Sequence, residues 1–182
     1  MNKPYREHRF NAVFSIKNQL RIEEINMNTG KQFEEDIKKS VDDTAFLYRL
    51  RDSGGSWQGG NKSRFTPSNI CDFILFKSPK LYLLELKSHK GKSIPYSAIK
   101  QLDKLLDVAN KKLENLKVLL LLNFADLEET YVIEVESVAS IKDSKTRKSL
   151  SIEDVREYGY RVDQVKKKVR YRYELLQCLE EI

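Results

Sequence analysis

Two short apolar segments, ICDFILF (residues 70–76) and LYLLELK (residues 81–87), are separated only by Lys77, Ser78, Pro79 and Lys80. Segments of that length and composition, joined by so short a link, can fold only as neighbouring strands of a β-hairpin. If the hairpin is symmetric about the Ser78–Pro79 bond, paired residues have numbers that sum to 157. Asp72 and Glu85 meet that condition. They therefore face each other across the pair, with Cβ atoms about 5 Å apart. Lys87 lies two residues beyond Glu85, and strand alternation puts it on the same face. The flanking Ile70, Phe73, Leu75, Leu83, Leu84 and Leu86 are apolar, so this charged trio is anchored in a core hairpin.

Like charges directly opposite each other destabilise a sheet. A divalent cation between the two acids removes the difficulty. Mg²⁺ takes one or two carboxylates, keeps several waters and shares phosphate oxygens with a substrate. Lys87 would then neutralise phosphate charge or position an attacking water. The blander alternative is a solvated strand face on which Lys87 bridges two acids. Glu85-Leu86-Lys87 is the only Glu-x-Lys triplet in the chain, and its register and apolar setting favour the metal reading.

The rest of the pattern predicts an α/β sandwich around a mixed sheet. Phe33, Ile37 and Val41 recur at four-residue spacing, so Gly30 to Asp43 reads as an amphipathic helix with Thr29 as N-cap and with Glu35 and Asp36 as ordinary exposed acids. Thr44 to Arg51 suits a strand. The stretch from Asp52 to Asn69, with four glycines and Pro67, reads as a loop. A long helix is expected to start at Ser93 or Pro95, its apolar face marked by Ile99, Leu102, Leu105, Leu106, Ala109 and Leu113. Lys117 to Phe124 has the near-continuous apolar character of a strand buried on both faces. Tyr131 to Val135 reads as a strand, and Ser137 to Ile141 as a short helix. Leu150 to Glu157 reads as another, with Ser151 and Asp154 as a capping box, and Tyr171 to Leu179 as a last helix.

Composition sets the remaining bounds. A chain of 182 residues suits one ordinary domain. Residues 1–26 form a polar, basic head, either a mobile arm or a segment ahead of an alternative start at Met27, and residues 27–182 form the domain proper. No apolar run nears the ~20 residues of a membrane span, and nothing resembles a secretory signal. Two cysteines make no disulfide framework, which fits a cytoplasmic protein. The net charge of +6 is uneven. Lys142 to Lys148 carries four cations, and Arg161 to Arg172 carries six interleaved with Tyr171, each run with a single acid. Such runs are usually solvated faces, but interleaved aromatics also suit nucleic acid. Trp57, Lys62, Arg64, Lys90, Lys92, Lys166, Lys167, Lys168 and Arg170 are the candidate DNA contacts.

The order of elements together with Asp72, twelve residues, then Glu85-Leu86-Lys87 resembles the PD-(D/E)XK nucleases, whose fold is restriction-endonuclease-like. More narrowly, the chain resembles the RecU-type Holliday junction resolvases. NTGKQFEEDIKKS is similar to that family's opening helix, with Glu34 at its acidic position. SIPYSAIKQLDKL is similar to the entry of the helix that carries Gln101, and RKSLSIEDVREYGYRV (residues 147–162) to a C-terminal signature. The resemblance implies a Mg²⁺- or Mn²⁺-dependent homodimer in which Asp72, Glu85 and Leu86 are metal-binding positions. Lys87 would position water or stabilise charge, with Glu34 and Gln101 in support. It also implies paired symmetric nicks in a four-way DNA junction, leaving 5′-phosphate and 3′-hydroxyl ends. The family's junction-entering stalk is matched here only by the shorter, glycine-rich stretch 52–69, so a restriction-like or repair nuclease acting on duplex, or a non-catalytic DNA-binding protein, remains an alternative.

Overall fold

The computed structural model describes residues 29–50 and 69–182. The expectations for residues 1–26, and for Trp57, Lys62 and Arg64, fall outside them.

Helix α1 (Thr29–Ser40) precedes strand β1 (Phe46–Arg49) and the expected hairpin, β2 (Phe73–Lys77) and β3 (Lys80–His89). The hairpin register pairs Phe73 with Leu84 and Lys77 with Lys80, so the sum of 157 holds. Then come β4 (Ser93–Pro95), α2 (Leu102–Ala109), β5 (Leu116–Phe124), β6 (Glu129–Glu134) and α3 (Val135–Ser144). The chain continues through β7 (Ser149–Ser151), α4 (Ile152–Tyr158), β8 (Tyr160–Val162), β9 (Gln164–Lys167), β10 (Arg170–Tyr173) and α5 (Leu175–Cys178).

Among the described residues six strands form one mixed sheet in the order β1-β2-β3-β5-β6-β8, and of these only β3 and β5 run parallel. β5 is the strand the sequence marks as buried on both sides, and its alternation divides the core in two. Leu119 and Leu121 face a layer with Phe33 and Ile37 of α1, Tyr173 of β10 and Leu175 of α5. Leu120 and Leu122 face a second layer with Leu102 and Leu105 of α2, Val138 and Ile141 of α3 and Val155 of α4. This is the expected mixed α/β sandwich. No helix among the described residues is long and apolar enough to cross a membrane. Both cysteines are unpaired and buried.

Several local expectations are corrected. The helix expected from Ser93 or Pro95 is a strand, a single 3-10 turn at Tyr96–Ala98 and only then α2. Ser93–Pro95 instead pairs with Ser149–Ser151 and buries Ile94. Leu113 lies beyond α2 and is exposed. Residues 171–173 belong to β10, which pairs with β9, so the last helix is confined to Leu175–Cys178. Thr29 lies within α1 rather than capping it. Asp36 is not an exposed acid; it is 3% exposed. The capping box stands as expected, with the Asp154 amide donating to Ser151 Oγ and the Ser151 amide to Asp154 Oδ2.

Candidate metal centre

Asp72 occupies a bend immediately before β2, where its main chain links two strands: its carbonyl accepts from the Leu50 amide and its amide donates to the Leu84 carbonyl. Its side chain turns toward the partner strand, and Asp72 Oδ2 accepts the Leu86 amide at 2.7 Å. The first acid is thus fixed by main-chain contacts on both neighbours.

Glu85 lies mid-strand in β3, opposite Leu120 of β5. Parallel partners share a face, so Glu85 points into the layer of α2 while Leu84 and Leu86 point toward α1. Glu85 is 0% exposed. A carboxylate so placed needs partners, because burying an unpaired charge costs several kcal/mol. One partner is present: Lys87 Nζ donates to Glu85 Oε1 at 2.5 Å. Glu85 Oε2 is buried with no hydrogen-bond partner. Burial, with the charge of Asp72 second, pushes the Glu85 carboxyl up to about 7, although the Lys87 ammonium pulls the other way. Asp72 can hydrogen-bond Glu85 only when one of the two carries a proton, since two carboxylates have no donor between them.

The structure therefore has the two acids and the lysine in the arrangement read from the hairpin. The orphaned Oε2, the adjoining carboxylate and the raised proton affinity leave oxygen donors here that the fold itself does not use. A hard divalent ion fits this oxygen-rich donor set. Leucine can contribute only its main-chain carbonyl, since the Leu86 side chain is buried in the α1 layer and its amide already serves Asp72. Cys71, next to Asp72, is not a further ligand in waiting. Burial, reinforced by Glu85 and Asp72, pushes its thiol up to about 12, and its Sγ donates to the Phe73 carbonyl.

The supporting residues stand further off. Glu34 lies on α1, across the sheet from the Glu85 face, and binds Arg49 of β1 at 2.7 Å. Among the described residues no three His, Cys, Asp or Glu side chains gather closely enough to hold a metal, so Glu34 is not grouped with Asp72 and Glu85. Gln101 immediately precedes α2, in the same layer as Glu85, and its side chain does not cap that helix. Lys90 and Lys92 lie exposed on the turn that follows β3, a few residues beyond Lys87. Lys166 pairs with Glu128 and sits 5.4 Å over the Tyr171 ring. Lys168 adopts φ 60° at the tip between β9 and β10. Arg170 is held by Asp36. The Lys142–Lys148 run is partly absorbed by structure, because Lys145 and Arg147 both bind the buried Asp154. Sequence reasoning missed the Asp36–Arg170 pair. The available signal was position, since Asp36 is flanked by Phe33 and Ile37 on the apolar side of α1.

No family model and no curated protein sequence matches the chain. Among solved structures it is similar to Hjc, a Holliday junction resolvase from the archaeal hyperthermophile Archaeoglobus fulgidus. Identity is 14%, the match covers 64% of this chain and 81% of that one, and the TM-score is 0.44. A likeness of this extent says nothing of what this chain binds or cuts.

Proposed function

We propose that the chain is a metal-dependent endodeoxyribonuclease of the PD-(D/E)XK type that resolves four-way DNA junctions by paired nicks, acting as a homodimer of RecU-type subunits. One observation carries the reading. A fully buried glutamate keeps an unbonded oxygen beside a second carboxylate, with a lysine on the same face. A purely structural acid would have been satisfied or replaced, because an orphaned buried oxygen is expensive. The sequence resemblance in the hairpin, the opening helix and the segment around Gln101 supports the narrower assignment.

Asp72 and Glu85, with the main chain at Leu86, would hold Mg²⁺ or Mn²⁺, which supplies charge neutralisation at the phosphoryl oxygens and a more acidic water. The protein's own groups do the rest. The Leu86 amide fixes the Asp72 carboxylate. The α2 layer excludes water behind Glu85 and keeps the site's dielectric low, which strengthens every charge interaction in it. Lys87 lies close enough to its glutamate to share the site, and it can turn its ammonium to a phosphate oxygen or to the attacking water once Glu85 has another cation. Gln101 acts in support from the α2 layer, whereas Glu34, across the sheet and bound to Arg49, takes no part in holding the metal.

The test uses a labelled four-way junction and a linear duplex of the same sequence, each with Mg²⁺, Mn²⁺ or chelator. Wild type should nick the junction symmetrically and metal-dependently, and Asp72→Asn should lose at least a hundredfold in rate while still binding. Comparable cutting of linear duplex points to a restriction-like nuclease instead. Binding without cutting in any metal, or an Asp72→Asn variant as active as wild type, overturns the catalytic reading.

A further inference from the structure

The β9–β10 hairpin is pinned to α1 at several points. Asp36, buried in the helix, accepts from Arg170 Nε and from the Tyr171 amide. Ser40 Oγ donates to the Asp36 carbonyl at 2.6 Å and accepts the Tyr173 amide at 3.0 Å. Gln32 Nε2 reaches the Val169 carbonyl at 2.8 Å, and the Phe33 and Tyr173 rings meet edge to face at 5.4 Å. A lone two-stranded hairpin is marginal in water, so this clamp is what holds it in place.

What the clamp displays is a concentration of positive charge. Arg170 and Lys167 are directly opposite in the hairpin register. Like charges so placed destabilise a sheet unless an opposite charge lies between them. Strand alternation puts Arg172 on the same face, and Lys39 approaches from the helix. All four line one cavity of about 300 Å³. Among the described residues the only acid lining it is Asp36, whose carboxylate is spent on Arg170 and the Tyr171 amide. Outside it, Glu174 is 4.0 Å from Arg172 and half-exposed. Arg170 Nη2 is buried with no hydrogen-bond partner, so Asp36 does not satisfy the whole guanidinium, and the Arg170 side chain stays 41% exposed. An ordinary solvated face would let its cations splay apart. Here a buried carboxylate fixes the one with the planar fork that suits phosphate.

We infer that α1 and the β9–β10 hairpin build a second anion site that takes a backbone phosphate of DNA, apart from the carboxylate pair of the metal centre. The assignment rests on the reading of the partner as DNA. The site separates the cations of the 161–172 run into two groups. Lys167, Arg170 and Arg172 face the cavity with Lys39, whereas Lys166 is committed to Glu128 and Tyr171 on the other face.

The experiment is fluorescence anisotropy with a labelled four-way junction in chelator, where nothing is cut, over a range of monovalent salt. Lys39 and Arg172 are both exposed, and Lys39→Ala/Arg172→Ala should melt at the wild-type temperature. It should bind about ten- to fiftyfold more weakly near 0.1 M salt, with the log–log salt slope reduced by about two. Arg172→Gln alone should show about half of the slope change. Lys111→Ala/Lys148→Ala, which removes the same charge elsewhere, should leave the slope within half of one contact. An equal loss in that control, or an unchanged slope in the cavity variant, overturns the site. So does free inorganic phosphate that raises the melting temperature of wild type alone while DNA affinity is equal in all variants, since the cavity would then serve a small anion. Wild type that binds but never cuts removes the nuclease reading and leaves this site standing. Wild type that binds no DNA removes both.

Discussion

Replacing Glu85 with glutamine should stabilise the metal-free protein and abolish its chemistry, and the stabilisation should appear only as the pH rises. In the folded chain the Glu85 carboxyl titrates near 7, raised by burial and then by Asp72. In the unfolded chain it returns to its ordinary 4.5. The folded state therefore binds the proton more tightly, and between those two values unfolding releases it. Stability contributed by the protonated acid is complete below pH 4.5 and is lost as pH rises through about 7. A rise from 4.5 to about 7 corresponds to roughly 3 kcal/mol. The amide does not titrate, so the Glu85→Gln variant should not suffer that loss. Its constant offset, from the unpaired Lys87 and the new amide, cancels in the difference between pH values. Urea unfolding of both proteins with chelator present, from pH 5 to pH 8.5, measures it. The variant's advantage should grow by roughly 2–3 kcal/mol over that range, about 5–10 °C in melting temperature for a chain of this size. Mg²⁺ added at pH 8 should restore stability to wild type and not to the variant. An advantage that stays flat with pH, or shrinks, would refute the claim that Glu85 is a buried acid held against its charge.

Lys87→Ala removes the cation that lowers the Glu85 carboxyl, so the pH-dependent loss should extend to higher pH and grow in total size at an unchanged one-proton slope, read from the wild-type and variant urea curves in chelator. Asp154 behaves oppositely. Burial works to raise its carboxyl, but hydrogen bonds from Lys145 and Ser151 and the Arg147 charge outweigh it and hold the group at about 2. It should therefore contribute about 2 kcal/mol above pH 4, lost as pH falls toward 2, and Asp154→Asn should erase that acid-side slope. Gly159→Ala should cost about 2 kcal/mol in urea unfolding. Its new Cβ would stand 2.7 Å from the Val155 carbonyl oxygen and 3.0 Å from that of Val132, both main chain.

The hairpin was legible because its information is local. A four-residue link fixes register, register fixes faces, and Asp72, Glu85 and Lys87 followed from arithmetic. Val118 to Leu122 was legible because only a strand covered on both sides tolerates such a run. What failed depended on distant partners. Ser93–Pro95 is a strand only because β7, more than fifty residues later, supplies its pairing. Residues 171–173 have the spacing of a helix start, but Asp36 and Ser40 of α1 offer main-chain partners to the Tyr171 and Tyr173 amides. The fate of Asp36 itself was hidden for the same reason, since its counter-ion is 134 residues away.

Burial alone does not distinguish the buried acids of this chain; hydrogen-bond satisfaction does. Five polar or charged residues are buried among the described residues: Asp36, Glu85, Thr130, Ser151 and Asp154. Asp154 binds Arg147 through both oxygens and closes a cap with Ser151. Asp36 binds Arg170 and the Tyr171 amide. Thr130 donates to Gln164. Each ties one element to another and is complete without a ligand. Glu85 ties nothing distant. Its one cationic partner is a lysine two residues away, its second oxygen finds no donor, and Asp72 beside it accommodates it only through a shared proton. Selection for stability would replace such a residue with leucine, the type found at positions 83, 84 and 86 around it. The proton it takes up offsets part of that cost in the metal-free chain; on the proposed reading, a cation held jointly with Asp72 offsets the rest.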